Sequence, residues 1–431
     1  MAASAQDQEQ VFAKCAKRLI PFIMLLYVTN YLDRVNVGFA ALTMNKDLGF
    51  SPTVYGFAAS IFFVSYAIFQ IPATVILERM GARRTVFVIM TAWGALSAAN
   101  ALVTEPILFY VLRFLLGVAE AGFFPGVILY LTFWFPKEYR ARFTATFMMA
   151  IPFSSVFGSP LSGLILRNMD NVAGLHGWQW LFLIEGLPAC FLAFAVLKFL
   201  PDGPKDASFL TEAEKQIIAT RLASEKTLAP PNLWPALYDP RVLLLGLVGT
   251  GIGASIFGSQ LWLPQIVQAM GYSTFVTTCI AALPYAAAIP TMIYVGRSSD
   301  KNGERIWHNV LPLAMSASGF VIAALAPNHT IAVGGLIMVV AGLIGTYGPY
   351  YSLASSFFSG PAAPAAIALV NLMCTGLGGF IGPNVLGYLR DTTGGYAAGM
   401  FSLSAGLVGS IIILLVLGKV MAARNARLAA G

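Results

Sequence analysis

Apolar runs of bilayer-spanning length recur along almost the whole of this 431-residue chain. A spanning helix needs about 20 apolar residues, and in lipid only a helix or a closed barrel satisfies its own backbone. Runs bounded by glycine, proline and charge clusters therefore predict an all-α polytopic membrane protein. Twelve transmembrane helices are expected, at 19–42, 54–77, 85–104, 106–134, 141–166, 178–200, 241–268, 274–297, 306–326, 330–358, 363–390 and 396–420. Composition agrees: 58% of residues are hydrophobic and 10% charged, where soluble domains carry about 25% charged. Soluble metabolic enzymes, transcription regulators and disordered chains are excluded. The first run carries Asp33 and Arg34, is too long for a signal peptide and lacks a cleavage site, so it is expected to stay in the mature protein.

The connector between the sixth and seventh runs is dense in charge and proline, including Pro201, Asp202, Pro204, Lys205, Pro230, Pro231 and Pro235. It divides the chain into an N-terminal six-helix bundle (1–200), a cytoplasmic linker (201–240) and a C-terminal six-helix bundle (241–431). Within the linker Thr211 and Glu214 have capping-box spacing, and Ile217, Ile218 and Leu222 give a short helix an apolar side, expected to lie along the membrane surface. A repeat at an offset of 222 residues relates the halves: Gly49-Phe50-Ser51 recurs as Gly271-Tyr272-Ser273, and Gly81 recurs as Gly303. Two pseudo-symmetric bundles follow, the layout in which one half rocks on the other.

Lys and Arg crowd one set of loops and both tails, whereas the opposite side has Lys46, Arg167 and Arg390. Both termini are therefore expected in the cytoplasm. The net charge of +7 reports this topology and implies no nucleic acid. Cys15, Cys190, Cys279 and Cys374 are isolated, and His176, His308 and His329 share no ligand spacing, so no metal or other cofactor is expected. Asn328-His329-Thr330 matches a glycosylation acceptor, and Gly249-Thr250-Gly251-Ile252-Gly253 looks like a nucleotide loop but lies in an apolar run, which points to close helix packing.

Two bases, Arg34 and Arg113, fall well inside spans, with Asp33 and Glu120 as matching acids. A charge near the bilayer centre costs at least about 2.5–3.5 kcal/mol, so it survives facing a cavity, paired, or bound to a substrate of opposite sign. The four groups read as an anion and proton pathway; the bland alternative is a buried ion network that holds helices together. Tyr31, Tyr66 and Gln70 are candidate hydrogen-bonding partners from the first half, and Ser352, Ser355, Ser356 and Asn371 from the second. Glu185, near the outer end of its span, reads as an anchor or cap. After the second and eighth spans, Glu78, Arg79, Arg83 and Arg84 are matched by Arg297, Asp300 and Arg305. These form either a gate that pairs across helix ends in one state or simply solvated basic loops.

At these residues the chain resembles the major facilitator superfamily, and within it the anion:cation symporter family. The loop repeat is similar to the superfamily's signature, although Thr74 stands where the pattern begins with glycine. Asn30-Tyr31-Leu32-Asp33-Arg34-Val35-Asn36 and the stretch from Arg113 to Gly126, Arg113-Phe114-Leu115-Leu116-Gly117-Val118-Ala119-Glu120 and onward, resemble that family's first and fourth helices. The resemblance implies a bacterial inner-membrane importer, monomeric and not an enzyme, that carries a small organic anion with protons. By position it assigns Arg113, helped by Arg34, to the substrate carboxylate, Asp33 and Glu120 to proton coupling, and Tyr31, Tyr66 and Asn371 to the lining. Residues 39–51 look most like the branch for tartrate and phthalate. A tartrate-like dicarboxylate or sugar acid is favoured, with an aromatic carboxylate or an antiporter or efflux pump as alternatives. Charge counting predicts that Asp33 and Glu120, when ionised, occupy both arginines, and that protonating them frees the arginines for a dianion.

Overall fold

The structure, a computed structural model, describes residues 5–223, 238–357 and 363–430. Lys226, Pro230, Pro231 and Pro235, and the side chains of Arg142, Ser356, Arg424 and Arg427, lie outside the described part. The first half comprises α1 (Ala5–Asp47), α2 (Pro52–Met80), α3 (Ala82–Ala99), α4 (Pro106–Glu120), α5 (Phe123–Trp134), α6 (Lys137–Met148), α7 (Ala150–Asn168) and α8 (Gly177–Phe199). After α9 (Glu212–Ala223), the second half comprises α10 (Pro240–Gln268), α11 (Thr274–Asn302), α12 (Trp307–Leu325), α13 (His329–Gly345), α14 (Tyr347–Phe357), α15 (Ala363–Leu372), a π-helical turn at Met373–Gly378, α16 (Gly379–Thr393) and α17 (Ala397–Ala430).

Among the described residues, ten helical stretches are long and apolar enough to cross a membrane. The two remaining expected spans, 19–42 and 141–166, fall on α1 and on α6 with α7. Polar residues dilute both: Asn30, Asp33, Arg34 and Asn36 in α1, and Ser154, Ser155, Ser159 and Ser162 in α7, all buried. These helices are polar because they face the protein interior. Three expected spans are broken where proline removes the amide that would bond the carbonyl four residues back. Pro125 follows the break between α4 and α5, Pro152 that between α6 and α7, and Pro349 that between α13 and α14.

The sequence repeat has a conformational cause. Gly49, Gly271, Gly81 and Gly303 all adopt positive φ, which other residues rarely tolerate, and Ser51 and Ser273 are the N-caps of α2 and α11. Asn328 of the glycosylation-like triplet caps α13 by accepting from Ile331 N at 3.0 Å. Gly253 packs against the backbone of Cys374, as expected of a helix-packing glycine.

The linker helix forms with its capping box: Thr211 N donates to Glu214 Oε2 at 2.7 Å and Glu214 N to Thr211 Oγ1 at 3.3 Å. It does not lie free on the membrane surface. Ile218 is fully buried, Lys14 of α1 pairs with Glu214 at 2.8 Å, and Arg221 pairs with Glu138 of α6 at 3.0 Å. The apolar side meant for lipid is covered by protein.

The halves meet at one end. Tyr55 Oη donates to Leu261 O at 2.8 Å, Asn45 Nδ2 to Gln265 Oε1 at 3.3 Å and Thr53 Oγ1 to Asp391 Oδ2 at 2.5 Å. Asn384 Nδ2 also donates to Ser60 Oγ. At Gly56 and Gly387 the backbones of α2 and α16 touch. Toward the other end, which carries the basic loops, α2 buries only Leu77 beyond Ala67, and α11 only Ser299 beyond Ala288, among the described residues. The halves therefore close where α1 ends and part where α2 ends.

Candidate functional site

Asp33 and Arg34 are successive on α1, so their side chains diverge by about 100°. Asp33 points at α3. Its Oδ2 accepts from Trp93 Nε1 at 3.0 Å and its Oδ1 from Ser97 Oγ at 2.7 Å, donors one turn apart, with Asn36 Nδ2 at 3.4 Å. Among the described residues no cation is bonded to it. Arg34 points instead to α4 and α2. Its Nη2 and Nε both donate to Glu120 Oε2, at 2.9 and 3.3 Å, and Glu120 Oε1 has no partner.

Arg113 stands apart from these pairs. It is 1% exposed, and Nε, Nη1 and Nη2 all lack a hydrogen-bond partner. Its guanidinium lies 4.9 Å from the Phe62 ring centroid. The same aromatic pair holds Arg34, 5.5 Å from Phe62 and 4.9 Å from Tyr66. The packing of α4 on α2 explains the meeting: at Gly117, one turn after Arg113, a Cβ would lie 2.3 Å from Phe62 O, so only glycine permits this approach.

The charge count from sequence needs correction. Only Arg34 is occupied by an acid; Asp33 is held by neutral donors and Arg113 is left without a bonded counter-ion. Helix periodicity puts Arg113 and Glu120 on one face of α4, but Glu120 turns to α1.

Tyr66 thus joins Arg34, Arg113 and Glu120. Tyr31 donates across the halves to Gln260 Oε1 at 3.2 Å. The void beside it, also lined by Tyr285 and Tyr347, measures about 10 Å³, room for about one water. Asn371 Oδ1 accepts from Tyr351 Oη at 2.8 Å. Gln70 and Ser352 are half-buried and Ser355 is exposed; the Gln70 carbonyl accepts from Thr74 Oγ1 and the Ser352 carbonyl from Ser355 Oγ, both at 2.8 Å.

Among the described residues, the basic loops bond locally or to the linker. Arg305 Nη1 donates to Asp300 Oδ1 and to Ser299 Oγ, both at 2.7 Å. In the first half Arg83 N donates to Asp202 Oδ1 at 2.8 Å, while Glu78, Arg79, Arg83, Arg84 and Arg297 are exposed. The cap expected of Glu185 is supplied elsewhere: α8 is capped by His176, whose N donates to Gln179 Oε1 at 2.9 Å. Glu185 lies two turns further in. Sequence reasoning missed Phe62, Trp93 and Ser97. Their spacing to Tyr66 and to one another, one helical turn, was a weak signal shared by any packed face.

The sequence pattern of the Major Facilitator Superfamily matches residues 23–383. The chain belongs to this superfamily. Among other members, a protein of Agrobacterium vitis named "Putative tartrate transporter" is 45% identical over 96% of this chain and 95% of its own. The "Quinolone resistance transporter" of Acinetobacter baumannii is 36% identical over 94% of each chain. The crystal structure of a bacterial homolog of the human lysosomal transporter Spinster has a TM-score of 0.70 at 17% identity, covering 96% of both chains. The major facilitator fold, two six-helix bundles, is therefore the architecture of this multi-pass membrane transporter, which is not an enzyme.

Proposed function

We propose that this transporter imports a small organic carboxylate, a tartrate-like dicarboxylate or a sugar acid, together with protons. The observation that carries the reading is Arg113: a buried cation with three donors and no bonded acceptor is a receptor for an anion. Breaking a buried ion pair costs about 3–5 kcal/mol, so supplying the missing partner is correspondingly favourable.

The geometry refines the charge count. Arg34 and Glu120 cancel, and a carboxylate on Arg113 cancels that charge, which leaves Asp33 to be neutralised by a proton. A second carboxylate on the ligand calls for a second cation, and protonating Glu120 releases Arg34 to serve. The protons moved then track the ligand's charge, and proton and anion binding favour each other. The relative named for tartrate fits this chemistry. The void of about 10 Å³ beside Tyr31 is too small for any such ligand, so a ligand between Tyr31 and Gln260 needs the halves to move apart there. With the basic loops on the cytoplasmic side, the closed end faces outward.

Uptake of labelled tartrate into proteoliposomes under an inward proton gradient tests the reading, with galactonate and phthalate as competitors. Arg113→Ala should reduce uptake by about 100-fold or more, from the loss of about 3–5 kcal/mol. Competition by phthalate but not galactonate would shift the substrate to aromatic acids. Proton-linked efflux with no carboxylate uptake would replace import by antiport.

A further inference from the structure

Glu185 has no part in the site described above, yet it is a carboxyl group only 4% exposed in the middle of α8. Its Oε1 accepts from Ser162 Oγ of α7 at 2.7 Å, and its Oε2 has no partner. A carboxylate buried without a cation is costly, so the resting Glu185 fits a carboxylic acid with one oxygen to spare.

Its surroundings connect it to Asp33. The next residue, Gly186, packs on α3 where a Cβ would lie 3.0 Å from Ser97 Oγ, the hydroxyl that donates to Asp33. Of the elements packed against α8, α1 brings Asp33 and, at its far end, Asp47, which bonds Trp178 Nε1 at 3.1 Å and faces His176 at 3.5 Å. The α3 helix keeps Arg83 and Arg84 at its opposite end. Arg167 of α7 lies beyond Ser162 with its guanidinium 6.0 Å from the Phe275 ring centroid. Among these groups only Asp33 is available to exchange a proton within the membrane interior.

A route toward the closed end is also present. Ser155, Ser159 and Ser162 form one buried face of α7, and beside Ser162 the backbone of Gly163 packs directly on Thr278 of α11. That contact joins the two halves, so it opens when they part at this end.

We propose that Glu185 is a third proton-carrying carboxyl group, a relay between Asp33 and the end of the molecule closed in this structure. The Glu185 acid gives up its proton and the Asp33 carboxylate takes it by way of Ser97 or a water beside it. The pair keeps one negative charge during this transfer, and Glu185 then takes a proton from the aqueous phase past Ser162 once the Gly163–Thr278 contact opens, which leaves the pair neutral. The inference rests on the proton-coupled reading above.

The test compares wild type, Glu185→Gln and Glu185→Asp in proteoliposomes by gradient-driven tartrate accumulation, by tartrate counterflow without a gradient, and by the proton-to-tartrate ratio from reversal potentials. Glu185→Gln should lower accumulation by about 10-fold or more, the scale of a coupling interaction, and lower the proton ratio, with counterflow intact; Glu185→Asp should restore both. Wild-type accumulation and ratio in Glu185→Gln would overturn the proposal. So would equal loss of accumulation and counterflow, which marks a structural role. Absence of gradient-driven uptake in the wild type would overturn coupled import and this relay together.

Discussion

Phe62 makes no hydrogen bond through its side chain, yet both buried arginines rest on it, at 4.9 and 5.5 Å. Its ring partly compensates two cations while leaving the Arg113 donors free, which a carboxylate in the same place would not do. A desolvated cation–π contact contributes roughly 0.5–2 kcal/mol. Phe62→Leu should therefore weaken carboxylate binding by about 3–30-fold without abolishing transport, read from competition against labelled tartrate. The charged residues were legible in the sequence because a charge inside an apolar run is conspicuous. Phe62, Trp93 and Ser97 were not, since aromatic and small polar residues occur throughout packed membrane helices.

Among elements, the linker helix gives the clearest pH dependence. The Lys14 ammonium donates to Glu214, and the Thr211 amide adds to it, so the Glu214 carboxyl titrates below its ordinary range. This contribution is full above the unfolded value of about 4.3 and is lost as pH falls through the lower folded value. Being partly exposed, the pair contributes no more than about 1 kcal/mol. Hydrogen exchange of residues 212–223, corrected for intrinsic rate, should rise in that acidic window and not between pH 6 and 8. Cys15 reports the same docking: it is fully buried and burial pushes its thiol up to about 12. Lys14→Ala, in a background with the other three cysteines replaced by serine, should speed maleimide labelling of Cys15 at pH 7. The capping box and apolar side were readable from spacing. That the helix docks on α1 and α6 was not, because an amphipathic face is equally suited to lipid and to protein.

At the scale of the molecule, closure depends on how nearly α2 and α16 approach. A Cβ at Gly56 would lie 2.7 Å from Pro383 O and 3.2 Å from the Gly387 Cα, both backbone atoms that cannot move aside. Gly56→Val should prevent this end from closing. Net uptake should fall by about 10-fold or more, as expected when overpacking of about 1–3 kcal/mol falls on one state only. Carboxylate binding should persist, and a cysteine placed at Thr53 should become more accessible to a charged maleimide. Unchanged uptake in Gly56→Val would show that closure does not need this contact.

The sequence by itself determined the solvent, the repeat that relates the two halves, and which charges interrupt the apolar runs. These follow from composition, from the length of apolar runs and from glycines that the backbone requires at helix ends. Only the tertiary structure decided which charges meet. Arg34 and Glu120 are 86 residues apart, and helix periodicity fixes the face on which each lies but not the neighbour that face meets. The rotation of α1 that sends Asp33 to α3 and Arg34 to α4, with the close seating of α4 on α2, leaves Arg113 unpartnered over Phe62. Those rotations come from side-chain packing between distant segments, so one helix's pattern of residues does not encode them.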